Sequence, residues 1–278
     1  MAIRRTARQA GQGTHIPLSV YEEEVRLADL ARSRAHVLRR TTAATDATRT
    51  RARRSATRAA ATRPTSGFDP RDRAGSRLAG AVREQPTHDR MCVAHATAVA
   101  IESFISRKTA SVAGLPSLSV SHIFDLSGDQ ELLSPTARGV SEGVLESACF
   151  PLTPACGEPA QHAWRTAMTR LDAIDDPVAE MCASLRNGDL LVISVPVFEN
   201  FAGFTGTGVY APNGTELGAH ALCILGYDAS AAGGSWIVQN SYGSAWGDAG
   251  CARVAWQDAD LQPERVTYRV QGVLAPGA

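Results

Sequence analysis

The sequence contains no run of about 18 consecutive apolar residues, the length that a membrane-spanning helix requires. Its first fifteen residues, MAIRRTARQAGQGTH, include basic residues but no apolar segment of the kind that a secretory signal has. It also contains no Cys-x-x-Cys pair and no His-x-x-x-His spacing, so no metal site is expected. These absences predict a protein without a membrane contact. It is expected in the cytoplasm, or exported by a route that uses no classical signal peptide.

The chain of 278 residues has six cysteines, at positions 92, 149, 156, 182, 223 and 251. An even number in a long chain without a visible export signal gives little support for a disulfide framework. Cys149 and Cys156 are close enough in sequence to pair across the loop between them, and the sequence leaves their state open. Buried free thiols are expected for most of the others.

The formal net charge of zero conceals a division of the chain into two parts. Up to residue 65, fourteen arginines stand against five acidic residues, a net charge of +9, and the remainder therefore carries −9. The same N-terminal part includes an Ala/Thr/Arg-rich stretch with few large apolar groups, which cannot form a core of its own. We therefore predict a basic extension over residues 1–65 and a folded domain over residues 66–278. The extension is expected to lie on its own domain or on an acidic partner.

Within the extension, one segment has the pattern of a helix. Ser19 and Glu22 have the spacing of a capping box. Apolar residues then recur at roughly helical spacing, at Val20, Leu27, Leu30 and Leu38. This pattern predicts one amphipathic helix from about 20 to 40, followed by a flexible tether. Arginine clusters without interleaved aromatic residues do not favour nucleic-acid binding.

The folded domain reads as helices first and strands afterwards. Helical segments are predicted at 92–107, 119–127, 139–149 and 178–187, and apolar strands at 189–195, 219–226, 235–239 and 251–256. Segregation of helices and strands predicts an α+β architecture with two lobes.

Three residues in the domain carry candidate chemistry. Cys92 begins an Ala-rich helix, where free amides and the helix dipole lower a thiol pKa and can bind an oxyanion. His220 opens an apolar strand, and Asn240 ends another, from which an amide oxygen can orient an imidazole. The alternatives are a buried structural cysteine and a core histidine whose hydrogen bonds are satisfied.

Three segments around these residues resemble papain-type cysteine peptidases. Residues 91–97, MCVAHAT, resemble the nucleophile motif of the family, in a bacterial form with Val after Cys. Residues 218–228, GAHALCILGYD, and 236–247, WIVQNSYGSAWG, resemble its histidine and asparagine strands. Shorter matches lie at 68–71, 118–119 and 207–210, so the resemblance extends from about 67 to 256.

The resemblance implies a papain-like two-lobed fold, with a helical lobe and an antiparallel β lobe. It also implies a cysteine endopeptidase that forms a thioester acyl-enzyme on peptide or protein substrates, without a cofactor. Cys92 is then the nucleophile, His220 the base and Asn240 the orienting group. The same fold and triad also suit an effector that acts on one partner protein as a transferase or deamidase. A catalytically silent binding module is the third interpretation.

The chain departs from the family pattern at the oxyanion donor. Papain-type enzymes place a glutamine six residues before the nucleophile, where this chain has Pro86. Gln85, one residue earlier, is the expected donor together with the amide of Cys92, and His88 is the alternative. The family cysteine three residues before the nucleophile is Asp89, so the family disulfide is absent, which favours a reducing compartment.

Three further residues are expected at the substrate cleft or in the core beside it. Tyr242 stands where the family has a Trp after Asn-Ser, and Trp246 belongs to the same motif. His95 lies one helical turn after Cys92 and is expected in the core or the cleft wall, not as the base. The extension occupies the place of an inhibitory pro-segment, and an address or export segment is the other interpretation.

Overall fold

The computed structural model describes residues 15–46, 63–71, 78–86, 90–128, 130, 132–151, 156, 158, 161–171, 176–230 and 233–277. Its helices are α1 (Leu18–Asp46), α2 (Cys92–Thr109), α3 (Val120–Leu126), α4 (Leu133–Glu142) and α5 (Pro177–Arg186). Its strands are β1 (Arg165–Arg170), β2 (Leu190–Phe198), β3 (Val209–Tyr210), β4 (Glu216–Asp228), β5 (Ser235–Gln239), β6 (Cys251–Ala255) and β7 (Thr267–Leu274). In the described part of the chain, no helix is long and apolar enough to cross a membrane.

Local signals in the sequence set several helix ends. The Asp176 side chain accepts a hydrogen bond from the amide of Ala179, and Pro177 occupies the first turn of α5, where its missing N–H costs nothing. Ser119 caps α3 by accepting from the amide of His122 at 3.2 Å. These caps satisfy donors that would otherwise lack partners.

The seven strands form one sheet in the order β1-β7-β2-β4-β5-β6-β3. Neighbouring strands are antiparallel except β3 and β6, whose short pairing is parallel. The predicted α+β class is thus confirmed, with one parallel pair in the otherwise antiparallel sheet.

The central strands bury both faces, and alternation along them divides the apolar core in two. One cluster includes α2 together with Leu190 and Val192 of β2, and Ala219 and Ala221 of β4. The other includes α5 and the intervening residues of the same strands, among them Ile193. Both faces are covered, so β2 and β4 read as continuous apolar runs.

The helix predicted at 139–149 is wrong in position. The helix in this region is α4, which ends at Glu142, and residues 147–149 form a short 3-10 turn. Gly143 follows α4 with φ of 128°, a conformation that side chains disfavour, and it stops the helix there. The strands β1, β3 and β7 were not predicted.

Cys149 and Cys156 form a disulfide, with their Cα atoms 5.5 Å apart. The other four cysteines, at 92, 182, 223 and 251, are outside disulfides and are buried.

The extension contains the predicted helix, but a different face of it is buried. Tyr21, Val25 and Ala28 of α1 join the apolar cluster that includes α2. Leu27 and Leu30, which were predicted to form the apolar stripe, are 42% and 44% exposed. The predicted tether is helical as far as Asp46, and its part between 47 and 62 lies outside the described residues.

Candidate active site

His220 and Asn240 are joined across the sheet by a short hydrogen bond. His220 lies in β4 with no exposed surface, and its Nε2 is 2.7 Å from the amide oxygen of Asn240, which directly follows β5. That oxygen also accepts from the amide of Ser241 at 2.7 Å. Because an amide oxygen only accepts, Nε2 carries the hydrogen, and the ring is fixed in that tautomer.

Cys92 is the first residue of α2 and is almost fully buried. The residue before it, Met91, provides no side-chain cap for this helix end. The N–H groups of the first turn of α2 point toward this position, and together with the helix dipole they stabilise a negative charge there. A thiolate and an oxyanion both gain from such a location.

The loop with Gln85 is fixed to the strand end that carries Asn240. Glu84 forms a β-bridge with Tyr242, and the amide of Gln85 donates to the carbonyl of Ser241 at 2.6 Å. The Ser241 hydroxyl donates to the Gln85 side-chain oxygen at 2.9 Å. This bond uses the carboxamide oxygen of Gln85, and the NH₂ group is the part of that carboxamide that can act as a donor. His88, the alternative donor, lies outside the described residues.

Ser241 is a supporting residue that the sequence reasoning missed. It contacts both Asn240 and Gln85, through its amide and its hydroxyl. The sequence motif could have identified this residue, because Ser241 follows Asn240 in the Asn-Ser pair of the motif at 236–247.

The same loop is tied to α2 by a buried ion pair. The guanidinium of Arg83 donates to the carboxylate of Glu102 at 3.0 Å, and the Glu102 side chain is 3% exposed. The carbonyl of Arg83 accepts from the amide of Gly243, and Glu102 accepts from the amide of Leu118. The pair thus joins the segment before Gln85 to the helix that begins at Cys92.

Replacing Arg83 by alanine is expected to lower the free energy of unfolding by about 3 kcal/mol, because Glu102 would remain buried without its counter-charge. Urea denaturation monitored by circular dichroism measures the change. The control is Arg26→Ala, which removes a solvent-exposed pair with Glu23 and should leave the free energy of unfolding nearly unchanged. Equal effects of the two substitutions would contradict a structural role for the buried pair.

Aromatic side chains enclose His220. The ring of Tyr242 lies 4.8 Å from the imidazole, and that of Phe201 lies 5.7 Å from it. Trp246 is buried, packs on Phe201 at 5.2 Å, and donates its indole N–H to the Phe201 carbonyl. These rings exclude water from the bond between His220 and Asn240, which strengthens that bond. Phe201 was not predicted, because it lies in a loop outside every recognised motif.

His95 lies inside the helical lobe and is only 6% exposed. Burial, together with the charge of Arg83, lowers its pKa to about 4. It is therefore a neutral imidazole at ordinary pH, in line with the core alternative of the sequence interpretation.

The start of the described extension lies against His220. Ile16 pairs with Ala219, the residue before His220, through backbone hydrogen bonds of 2.7 and 2.9 Å. The His15 ring stands edge-on to the His220 ring at 6.2 Å. Gly218 permits this approach, since a Cβ at that position would lie 2.7 Å from the Ile16 carbonyl oxygen. The extension thus covers the histidine of the candidate site.

Comparison with known proteins places this architecture in one family. The profile of the papain family cysteine proteases matches residues 64–264. Fruit bromelain from Ananas comosus is 45% identical over 58 residues, 20% of this chain and 16% of that protein. Cathepsin B-like cysteine proteinase 5 from Caenorhabditis elegans is 32% identical over 83 residues, 30% of this chain and 24% of that protein. The matched segments therefore span a quarter or less of these relatives.

Solved structures share the fold at low sequence identity. The bromelain protease from Ananas comosus, solved with the E64 inhibitor, superposes with a TM-score of 0.58 at 22% identity, over 75% of this chain and 99% of that one. Procathepsin B S9 from Trypanosoma congolense gives a TM-score of 0.59 at 17% identity, over 80% and 82%. With the family match over residues 64–264, the conclusion is that this chain belongs to the papain family of cysteine proteases.

Proposed function

We propose that this protein is a cysteine peptidase that cleaves peptide bonds through Cys92, His220 and Asn240. The observation that supports it most directly is the 2.7 Å hydrogen bond between His220 and Asn240. It holds the imidazole by Nε2, so that Nδ1 is the nitrogen that exchanges a proton with the nucleophile. Cys92 at the start of α2 is the thiol in a position that favours the thiolate.

The reaction follows from these assignments. The Cys92 thiol gives its proton to His220, and the thiolate sulfur attacks the carbonyl carbon of the scissile peptide bond. The resulting oxyanion receives hydrogen bonds from the Cys92 amide and the Gln85 carboxamide. His220 returns its proton to the leaving amine as the C–N bond breaks and a thioester forms. Water, losing a proton to His220, then releases the acid and restores the thiol.

We further propose that the full chain is a latent form, in which the extension covers the site. Ile16 has no exposed surface, and its backbone occupies the edge of β4 beside His220. The described ion pairs between the two parts have both charge patterns. Arg63 of the extension pairs with Asp176 at 2.8 Å, whereas Asp29 of α1 pairs with Arg265 at 3.0 Å. Opposite net charge therefore supports only part of this docking, and apolar burial supports the rest.

An active-site titration tests the proposal. The full chain and its Ile16→Asp variant, each beside a Cys92→Ala counterpart, are treated with an epoxysuccinyl inhibitor and weighed intact. A thiolate sulfur opens the epoxide ring, forming a C–S bond as the C–O bond breaks and the alkoxide takes a proton. One added equivalent is expected, absent after Cys92→Ala and formed faster in Ile16→Asp.

Two results would overturn the assignment. One is the absence of an adduct on both chains although each shows a cooperative unfolding transition. The other is an adduct that persists after Cys92→Ala, which would place the reactive thiol elsewhere. An adduct without hydrolysis of any fluorogenic peptide would favour the transferase or deamidase alternative over a general peptidase.

A further inference from the structure

An acidic residue that the proposed reaction does not use lies beside the candidate site. Glu84 directly precedes Gln85, the proposed oxyanion donor, and forms an antiparallel β-bridge with Tyr242. Two backbone hydrogen bonds of 2.6 and 3.0 Å, one on each side of the bridged pair, fix this register. The position of Glu84 relative to the site is therefore set by paired backbone.

The bridge places the Glu84 side chain on the accessible side of the catalytic histidine. Residues directly opposite each other in an antiparallel pair project their side chains to the same face, with Cβ atoms roughly 5 Å apart. Glu84 therefore shares a face with the Tyr242 ring, which lies 4.8 Å from the His220 imidazole. Of the three aromatic side chains of the domain that enclose His220, Phe201 and Trp246 are buried, whereas Tyr242 is partly exposed. The face of Glu84 and Tyr242 is thus the part of this enclosure that a substrate can contact.

The charge of Glu84 is not compensated within the described part of the chain. Glu84 is exposed, and its carboxylate has no ion pair or hydrogen bond with any described residue. The neighbouring Arg83 projects to the other face, because successive side chains of a strand alternate, and it pairs there with Glu102. The Glu84 carboxylate lies alongside Gly243, where an added Cβ would be 3.4 Å from its Oε2. Since glycine has no side chain to cover it, the carboxylate remains open to a ligand.

The proposed reaction decides which half of a substrate passes this charge. His220 gives its proton to the leaving amine, so the nitrogen of the scissile bond must lie within hydrogen-bond reach of the imidazole. The residues that follow this nitrogen continue past the groups that cover the imidazole, among them Tyr242 with Glu84 at its side. The acyl half, in contrast, is attached to Cys92 at the start of α2. The carboxylate of Glu84 therefore acts on the amine half of the substrate.

We propose that Glu84 selects substrates that carry a cationic side chain, of lysine or arginine, at the first or second residue after the scissile bond. A carboxylate attracts an ammonium or guanidinium group and repels a second carboxylate. Glu84 is thus a specificity residue and takes no part in breaking the peptide bond. The inference rests on the proposed peptidase activity and assigns a substrate class to the amine side of its cleft.

Kinetics on three matched peptides test the preference in the full chain carrying Ile16→Asp. The cleaved bond of one internally quenched peptide is located by product mass, and three versions then carry lysine, glutamine or glutamate at both positions after that bond. The value of kcat/KM is expected to be about threefold higher for the lysine peptide than for the glutamine peptide, and about tenfold higher than for the glutamate peptide, because the interacting charges are exposed. Raising the salt concentration should reduce both ratios, since mobile ions screen the charges.

Charge substitutions at the same position separate selection by charge from a structural role. Glu84→Gln keeps the size of the side chain and should bring both ratios close to one. Glu84→Lys should reverse the order, so that the glutamate peptide becomes a better substrate than the lysine peptide. Glu142→Gln removes an exposed carboxylate at the end of α4 and is the matched control, which should keep the ratios of its parent. The proposal is overturned if Glu84→Gln retains the preference for lysine, or if Glu84→Lys does not reverse it.

A binding measurement distinguishes failure of this proposal from failure of the proposed peptidase. Lysyl-lysine amide and glutaminyl-glutamine amide, at equal concentrations, are used to protect Cys92 from iodoacetamide, and the adduct is measured by intact mass. If no peptide is hydrolysed, stronger protection by lysyl-lysine amide that disappears in Glu84→Gln still supports the charged site, and the peptidase alone is rejected. If the two amides protect equally in that case, the proposed selection by Glu84 is wrong.

Discussion

Replacing His220 by alanine is expected to reduce peptide hydrolysis by about 1,000-fold or more, since the residue serves as base and then as acid in the proposed cycle. The Ile16→Asp chain is the background of choice, because its site is expected to be uncovered. Initial rates on a fluorogenic peptide measure the loss. Asn240→Ala should lose less, since that residue orients the imidazole and does not exchange a proton with the substrate.

The pH profile of thiol alkylation separates this role from a structural one. With His220 present, Cys92 should react with iodoacetamide near pH 6, because proton transfer to the imidazole supplies the thiolate. Without it, the reaction should need a pH near the ordinary thiol pKa of about 8.5. Burial raises the pKa of Cys182 and Cys223 to about 12, so these thiols contribute little to the signal.

His162→Ala is the matched control, a histidine that precedes β1 and lies outside the candidate site. It should keep both the rate and the alkylation profile of its parent. An unchanged profile in His220→Ala would show that another group activates the thiol, and the proposed base would then be wrong.

The sequence predicted best those features that a short segment encodes by itself. The strand at 235–239 was predicted with its observed bounds, because the apolar run of Trp236, Ile237 and Val238 lies between a Gly-Gly turn and Asn240. The helix after Cys92 was equally clear from its Ala-rich run. The three proposed triad positions stand in the motifs at 91–97, 218–228 and 236–247, so they were assigned from short segments alone, and their catalytic roles stay a prediction.

Features that depend on distant partners were missed. β7 pairs with β1 and β2, and its register decides its conformation, whereas its own sequence, TYRVQGVL, contains a Gly and a mixed pattern. β3 is two residues long and exists through its pairing with β6. Phe201 packs on His220 from a loop, and no local periodicity marks such a contact.

The extension shows why helical periodicity did not identify the docked face. Leu27 and Leu30 fit an apolar stripe, yet the buried positions are Tyr21, Val25 and Ala28, with the polar Glu24 between them. The helical lobe provides a backbone donor at the start of α4, which accommodates a carboxyl but not a leucine. Which face of α1 is buried therefore depends on the surface of the helical lobe, which the sequence of the extension does not encode.

Replacing Ile16 by aspartate is expected to raise the rate of active-site alkylation of the full chain by about 30-fold or more. Ile16 has no exposed surface when docked, so the substitution removes about 2 kcal/mol of apolar burial and adds the cost of burying a charge. Both effects raise the free energy of the docked state and leave that of the released extension unchanged. The equilibrium therefore shifts toward release. Second-order rates with the epoxysuccinyl inhibitor at a fixed pH measure the change.

The matched control for this substitution is Leu30→Asp, which places the same charge on an exposed apolar position of α1. It should alter the rate by less than about threefold, because a surface substitution of this kind changes stability by roughly 0.5 kcal/mol or less. If Ile16→Asp reacts no faster than its parent, the extension does not limit access to Cys92. If Leu30→Asp accelerates the reaction equally, a general weakening of α1 is responsible, and Ile16 has no special place beside His220. Only acceleration confined to Ile16→Asp agrees with an extension that keeps the site closed through its contact with β4.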